Sequence, residues 1–136
     1  MNIRLFSKKH NLYTNSPLWP SNQRSFSDWA LSPSGEVIEI VSFDDERSSS
    51  YITKHDPRTF DIEPWSGYFD STGKKIYRGD IIECESMFHF ISEVTWKEGA
   101  FWLKTLDEHG LDRQFNGYLS NIWTVTKNIH GVEYAD

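Results

Sequence analysis

The sequence predicts a mainly β protein with little helix. Aromatic residues are 15% of the chain, whereas all apolar residues together are only 38%, and a core built from few large rings suits short strands. Short apolar or β-branched segments alternate with turns that contain glycine or proline. Both observations favour several small sheets over a helical bundle. Only residues 111–119 have a composition that could support a short helix, and Gly117 limits it.

Length and composition predict one domain. A chain of 136 residues is large enough for a single hydrophobic core but small for two. We expect residues 1–60 to form an N-terminal β-hairpin lobe and residues 61–130 to form the main part of the sheet system. No stretch approaches the roughly 18 apolar residues of a membrane span, and a single cysteine fits a reducing compartment. We therefore expect a cytoplasmic protein.

The N-terminal lobe is predicted from a hairpin pattern. Residues 28–31 and 36–43 are apolar-rich segments joined by Ser32-Pro33-Ser34-Gly35, which is typical of a turn. The second segment has two faces, Val37, Glu39, Val41 and Phe43 against Ile38, Ile40 and Ser42. Because both faces carry apolar side chains, we expect both to be partly covered. Shorter strands are predicted at residues 3–6 and 51–53.

The C-terminal half is predicted to be a succession of strands at residues 81–85, 88–96, 100–106 and 121–126. Lys97-Glu98-Gly99 lies between two of them and is typical of a hairpin loop. Asp107-Glu108-His109-Gly110 predicts the next turn, and Asp56-Pro57 predicts a turn before this half begins.

The segment from Trp65 to Cys84 has the most distinctive pattern. Asp70-Ser71-Thr72-Gly73 is a strong turn, because the aspartate can accept backbone N–H bonds ahead of it and Gly73 can adopt positive φ. A second break at Gly79-Asp80 comes directly before the apolar strand that begins at Ile81. Such a corner sends the chain back across the preceding segment, as small SH3-like barrels often do. We therefore predict an SH3-like pseudo-barrel in this half.

The same segment resembles the signature of the YopX family, small proteins encoded mostly by phages and prophages of bacteria. That signature has the form Thr-Gly-Leu-x-Asp-x-Asn-Gly-Lys-x-Ile-Tyr-x-Gly-Asp-Ile-Val. The matching positions are Gly67, Asp70, Gly73, Lys74, Ile76, Tyr77, Gly79, Asp80 and Ile81, whereas Ser66, Tyr68 and Thr72 depart from it. The resemblance covers residues 60–128 well. It implies a phage-type β fold and does not imply an established function.

The charge balance bears on partners. The chain has 14 Lys and Arg against 20 Asp and Glu, a net charge of −6, and its basic residues are scattered. Nucleic-acid-binding proteins usually present a basic face, because phosphate contacts supply most of the affinity. Direct nucleic-acid binding is therefore disfavoured. A protein partner is favoured, from the host, from the phage or as a second copy of the chain.

Residue types that bind metals or act as nucleophiles lack the spacing that such sites need. None of the five histidines lies three to five residues from another, as metal ligands often do. Asp44-Asp45-Glu46 could attract a cation, but a solvated turn is the simpler interpretation because the EF-hand spacing is missing. Cys84 is interpreted as a buried strand cysteine. We expect no metal and no cofactor.

The signature residues have structural interpretations. Asp80 is expected to cap the corner by accepting backbone N–H bonds, and its alternative role as a general acid or base needs a partner that sequence does not locate. Most aromatic residues are expected in the core, because few aliphatic residues remain to build one. Aromatic residues left at the surface would mark an interface. The candidate interaction surface comprises Trp65, Tyr68, Asp44, Asp45 and Glu46.

No catalytic motif is present, so we expect a non-enzymatic protein. The leading hypothesis is an accessory protein from a phage or prophage that works through protein–protein contacts, with self-association through exposed strand edges as one form. A nucleic-acid-binding small β-barrel is second, and a hydrolase whose groups meet only in three dimensions is third. An interaction protein should show a contiguous apolar or acidic patch. An enzyme should show a deep pocket with convergent polar groups and shifted titrations.

Overall fold

The computed structural model describes residues 2–20, 25–43, 49–85, 89–106, 110–116 and 122–134. Within these ranges the chain is built mostly from strands and turns, with a 3-10 turn at Pro57–Thr59, so the predicted mainly β fold is confirmed. The strands are β1 Ile3–Ser7, β2 Leu12–Tyr13, β3 Ser25–Leu31, β4 Val37–Phe43, β5 Ser50–His55, β6 Phe60–Phe69, β7 Lys75–Tyr77, β8 Asp80–Glu85, β9 His89–Lys97, β10 Ala100–Thr105, β11 Arg113–Gln114 and β12 Trp123–Asn128. In the same ranges no helix has the length and apolar character that a membrane crossing needs.

The described strands form three small sheets. Their strand orders are β2-β1-β6-β7, β11-β10-β9-β8-β12 and β3-β4-β5. One sheet is strongly curled into a half-barrel. By contact density the chain divides into a first unit of residues 1–4 and 62–136 and a second unit of residues 5–61. The division falls inside β1 and β6, so these two strands contribute residues to both units.

The second unit contains the predicted hairpin. β3 and β4 pair from Ser25↔Phe43 to Leu31↔Val37, and β5 continues the sheet on the other side of β4. On one face of β4, Val37 and Val41 are buried, whereas Ile40 on the opposite face is 36% exposed. The first face is covered by the unit's own core and the second is only partly covered.

Aromatic rings fill the core of the second unit. The indole of Trp29 lies 5.2 Å from Trp19, 5.3 Å from His55 and 5.7 Å from Phe60 between ring centroids. Tilted and edge-on contacts of this kind are the favoured geometry between rings. Trp29 Nε1 is buried without a hydrogen-bond partner, so ring packing rather than hydrogen bonding fixes this side chain.

The core of the first unit mixes aliphatic, aromatic and sulfur-containing side chains. Its buried members are Ile76, Ile82, Cys84, Val94, Leu103, Phe115 and Trp123. β8 is central to this core because it pairs with β9 on one side and with β12 on the other. The predicted hairpin loop between β9 and β10 is confirmed. Glu98 and Gly99 both have positive φ, 53° and 77°, which suits a two-residue connection between twisted strands.

The expectation of a short helix in residues 111–119 is wrong where the structure describes them. Arg113 and Gln114 form β11, opposite Leu103 and Trp102 of β10, and Phe115 N donates to Phe101 O at 2.9 Å. Burial of Phe115 in the core, where it is 6% exposed, favours this extended path. Strand pairing and burial here override a weak local propensity for helix.

Candidate functional site

The first signature turn is held by the carboxylate of Asp70. Oδ1 accepts the backbone N–H groups of Thr72 at 2.8 Å and Lys74 at 2.9 Å, and Gly73 adopts φ 88°. The predicted turn is therefore confirmed. The structure adds a bond that sequence did not predict, because Oδ2 also accepts Val125 N of β12 at 3.0 Å.

These donors set the charge state of Asp70. Burial alone would raise the pKa of this carboxyl, but the hydrogen bonds from Val125, Thr72 and Lys74 outweigh burial and lower its pKa below the ordinary value. Among the described residues Asp70 has no ion pair. Backbone and hydroxyl donors therefore stabilise its charge without a cation.

The second signature turn places Asp80 in a charged environment. Oδ2 accepts Tyr77 N at 2.8 Å, which is the backbone bond expected at this corner. Oδ1 lies 2.7 Å from Nη1 of Arg4 in β1. Both side chains are only 2% exposed, so the pair is well shielded from water.

Arg4 connects this corner to two further groups. Its Nε donates to Glu63 Oε1 at 2.6 Å, and its Nη2 donates to the carbonyl of Arg78 at 3.3 Å. The guanidinium carbon lies 4.9 Å and 5.2 Å from the ring centroids of Tyr77 and Tyr134, within the range of cation–π attraction. A buried charge is tolerated when it is paired and hydrogen-bonded in this way.

Glu63 extends the cluster to the C-terminal segment. Its Oε2 lies 2.9 Å from His130 Nε2, while the side chain of Glu63 is 2% exposed. We call Arg4, Glu63, Asp80 and His130 the buried charge cluster. All four belong to the first unit, although they come from β1, β6, β8 and the segment that follows β12.

Gly79 is required by the cluster as well as by the turn. Its φ is 89°, and a Cβ at this position would lie 2.5 Å from Glu63 Oε2. A contact that short forces either the carboxylate or the backbone to move. The glycine of the signature therefore serves both the backbone conformation and the close approach of a buried carboxylate.

The surroundings of Asp80 shift its pKa in the opposite direction to that of Asp70. Burial raises the pKa of Asp80 to about 6. The positive charge of Arg4 and the Tyr77 N–H oppose this increase, and the nearby Glu63 adds to it. A carboxyl that takes up a proton close to neutral pH is the kind of group found at functional sites, and also in structural ion clusters.

A pocket of about 440 Å³ lies against this cluster. It is lined by Arg4, Lys74 and Asp80, by residues 125–128 of β12 and by residues 131–134. A second space of about 430 Å³ is bordered by Cys84, Leu103, Phe115 and Trp123 of the core and by polar residues near β11. Cys84 is a free, buried thiol in strand β8.

The second unit has a partly exposed apolar stripe on the sheet β3-β4-β5, and the charged residues Asp28 and Lys54 lie beside it on the same face. Ile40 of β4 and Ile52 of β5 are direct cross-strand partners and are 36% and 63% exposed. Beside them Ile38 pairs with Ala30 of β3, and both are partly buried. We call Ala30, Ile38, Ile40 and Ile52 the apolar stripe. β5 is the last described strand on its side of the sheet.

The structure places the predicted interaction residues in different surroundings. Trp65 is partly buried, with its ring 5.4 Å from Phe69 and Lys75 Nζ 5.0 Å from its centroid. Tyr68 packs against Phe115 at 5.2 Å and against the core of the first unit. Asp44, Asp45 and Glu46 lie outside the described residues. The structure thus does not bring the described members of this predicted surface into one exposed patch.

The remaining signature residues are buried or in turns. Ile76, Tyr77 and Ile81 are at most 4% exposed, and Gly67 has φ 90° within β6, where the pairing with β7 changes register.

In the ranges that the structure describes, no group of three or more His, Cys, Asp or Glu side chains has an arrangement that would hold a metal ion.

Sequence reasoning missed three members of the buried charge cluster. Arg4 and Glu63 each stand between apolar residues in short extended segments. A charged residue in such a position indicates a buried, paired charge. His130 lies in no recognisable pattern. The four side chains come from two different sheets and from the segment after β12, and a single sequence does not report that these elements meet.

Comparison with known families gives a match over most of the chain. The family model described as YopX protein matches residues 3–131, which is nearly the whole chain. A search of curated proteins finds no match. The matched region contains every member of the buried charge cluster and the whole apolar stripe.

Proposed function

The chain belongs to the YopX family. We propose that it is a non-enzymatic accessory protein of phage or prophage origin. We propose further that it works in the bacterial cytoplasm by binding another protein chain. The observation that carries this proposal is the apolar stripe. A contiguous apolar patch on a sheet face marks an interaction site, because most of the surface of a protein lacks such patches. Single exposed apolar residues occur on most proteins and carry no such meaning.

The arrangement of the stripe supports binding along the edge of the sheet. Ile52 is its most exposed member and lies in β5, the terminal described strand. A strand at the end of a sheet offers backbone N–H and C=O groups to an incoming strand. A partner that pairs with β5 would therefore gain main-chain hydrogen bonds and cover Ile52 at the same time.

A second copy of the chain is the partner that this geometry fits first. If two β5 strands pair antiparallel about Ile52, each Ile52 faces its counterpart and the two stripes join across a six-stranded sheet. In that register Lys54 faces Ser50, so like charges do not oppose each other. Such a contact is a closed two-fold interface, the commonest form of self-association.

Light scattering of the purified protein over a range of concentrations tests the second copy as the partner. We expect a dimer for the wild type and a monomer for Ile52→Lys, because a buried lysine would replace the central contact. The matched control is Leu111→Lys, since Leu111 is 81% exposed and lies outside the stripe; this variant should remain dimeric. Thermal denaturation of all three proteins checks that the substitutions leave the fold intact.

A different protein partner is tested in the same series. Immobilised wild type, Ile52→Lys and Leu111→Lys are incubated with bacterial extract, and the captured proteins are quantified by mass spectrometry. The proposal expects a protein that the wild type and Leu111→Lys retain and that Ile52→Lys loses. A wild type that is monomeric at every concentration, together with captured proteins that do not depend on Ile52, would reject the proposal.

Nucleic-acid binding is the alternative that these experiments must exclude. Lys97 Nζ lies 4.5 Å from the ring centroid of Trp102, and Lys75 makes a similar contact with Trp65, so cation–ring pairs exist on the first unit. Salt-sensitive association with single-stranded oligonucleotides, unaffected by Ile52→Lys, would favour this alternative.

A further inference from the structure

The pocket beside the buried charge cluster is shaped by a bulge in β12. The pairing of β12 with β8 shifts register between Val125 and Lys127, and the four consecutive residues 125–128 all line the pocket. In a regular strand, successive side chains point to opposite faces. The bulge therefore brings more of this strand to the pocket wall than regular pairing would, which is a common use of bulges beside binding sites.

Hydrogen bonds of Asn128 hold the turn that follows β12, which also lines the pocket. Its Nδ2 donates to Val132 O at 2.6 Å, and its Oδ1 accepts His130 N at 3.0 Å. Gly131 between them has φ 68°. The turn after β12 is thus defined before any ligand enters, and Val132 and Tyr134 present an apolar surface on this side.

The charges around the pocket are only partly compensated. Arg4 is paired with Asp80 and Glu63, at 2.7 Å and 2.6 Å. Lys74 and Lys127 also line the pocket, and neither has an ion pair among the described residues. Glu133 is the remaining carboxylate of the lining. Among the lining groups that have no ion pair in the described residues there are therefore two cations and one carboxylate.

From this arrangement we propose that the pocket binds a small organic anion, with a single carboxylate or phosphate group between Lys74 and Lys127 and an apolar body against Val125, Val132 and Tyr134. Lysine ammonium groups bind such anions as mobile point charges. A volume of about 440 Å³ lies in the range of small-molecule sites, which combine apolar walls with a few polar groups. This site is in the first unit and is independent of the apolar stripe.

Titration of the isotopically labelled protein with phenyl phosphate and benzoate, followed by amide chemical shifts, tests the proposal. We expect shifts confined to residues 125–134 and to Lys74, and saturation at millimolar concentrations for ligands of this size. Benzyl alcohol and benzylamine, which share the ring and lack the anion, should bind at least about tenfold more weakly. The relative response to phosphate and carboxylate identifies the preferred anion.

Lysine variants assign the effect to the pocket. Lys74→Met with Lys127→Met should weaken binding of phenyl phosphate by about tenfold or more, whereas Lys104→Met, an exposed lysine of β10, should leave it unchanged. The amide spectrum of each free variant shows whether it is folded. Shifts absent at saturating concentrations, equal binding of benzylamine, or binding unaffected by the double substitution would overturn the proposal.

Discussion

The two turns of the signature segment hold the same residue type in opposite electrostatic conditions. Asp70 and Asp80 are both buried, at 6% and 1% exposed, and both accept backbone N–H bonds. The pKa of Asp70 is nevertheless lowered, whereas the pKa of Asp80 is raised to about 6. Asp70 is surrounded by several neutral donors. Asp80 has one backbone donor and a cation that it shares with Glu63.

Burial is the largest single influence on the pKa of both carboxyls, and only around Asp70 do the hydrogen-bond donors together outweigh it. The backbone N–H groups of Thr72, Lys74 and Val125 all donate to Asp70, and together they stabilise its charge. Arg4 serves two carboxylates, so it compensates neither fully. The first turn is held by local bonds and by three hydrogen bonds to β12. The second turn is part of a network of charged groups whose members depend on each other.

The largest expected effect comes from removal of the shared cation. Arg4→Met should lower the free energy of unfolding by about 3–5 kcal/mol, because it removes the guanidinium that two buried carboxylates contact. Urea denaturation followed by tryptophan fluorescence measures the change. Lys74→Met at the other turn is the matched control and should cost no more than about 0.5 kcal/mol, since its ammonium has no ion pair in the described structure. Equal losses for the two variants would contradict the distinction between the turns.

The two signature glycines separate backbone strain from crowding. Gly73 and Gly79 have nearly equal φ, 88° and 89°, but only at Gly79 does an added Cβ meet another atom within 4 Å. Gly73→Ala should cost about 1–2 kcal/mol, for the backbone conformation alone. Gly79→Ala should cost about 3 kcal/mol, because it also displaces Glu63. Chemical denaturation of both variants measures the difference, and a Gly79→Ala loss no greater than that of Gly73→Ala would show that Glu63 moves aside freely.

The raised pKa of Asp80 predicts a pH dependence of stability. Its pKa is about 6 in the folded protein against an ordinary 3.8, so between these values the folded state binds more protons than the unfolded state. Lowering the pH through this window should stabilise the wild type relative to Asp80→Asn by on the order of 2–3 kcal/mol. Denaturation of both proteins across the window measures it, because the other titrating groups are common to both. A difference that stays constant, or that grows as the pH rises, would show that Asp80 is ionised throughout.

Asp70 should show the opposite sign with a smaller effect. Its pKa is lowered in the folded protein, so its contribution is present above the ordinary pKa of 3.8 and is lost as the pH falls through the folded value. Asp70→Asn should therefore cost about 1–2 kcal/mol near neutral pH, since the amide meets Val125 N or Thr72 N with a donor in place of an acceptor. This cost should shrink in acid. A cost that does not depend on pH would mean that the charge of Asp70 is unimportant.

Sequence patterns predicted the local structure of this protein better than its long-range contacts. The hairpin of β3 and β4 follows from a proline- and glycine-containing turn between two apolar segments, and the Asp70 turn follows from side-chain chemistry within five residues. β2, β7 and β11 were not predicted, because they have two or three residues each and depend on pairing with other strands. Asp61-Ile62-Glu63-Pro64 forms part of the ten-residue strand β6.

The candidate sites depend on long-range contacts that could not be predicted from a single sequence. The backbone acceptor role of Asp80 was expected, but its ionic partner Arg4 comes from the first strand, and Glu63 and His130 are 67 residues apart. The apolar character of both faces of β4 was visible in the sequence. Which face remains exposed was not, because that depends on which one packs against the rings around Trp29.

The division of the chain inside β1 has a consequence for biosynthesis. All residues of the second unit leave the ribosome before Ile62 does, so the whole of this unit is synthesised early. Arg4 is synthesised among the first residues, yet its partner Glu63 lies 59 residues later, and His130 comes almost last. During translation Arg4 is therefore present in the nascent chain before its partners, and the cluster is complete only when synthesis is almost finished.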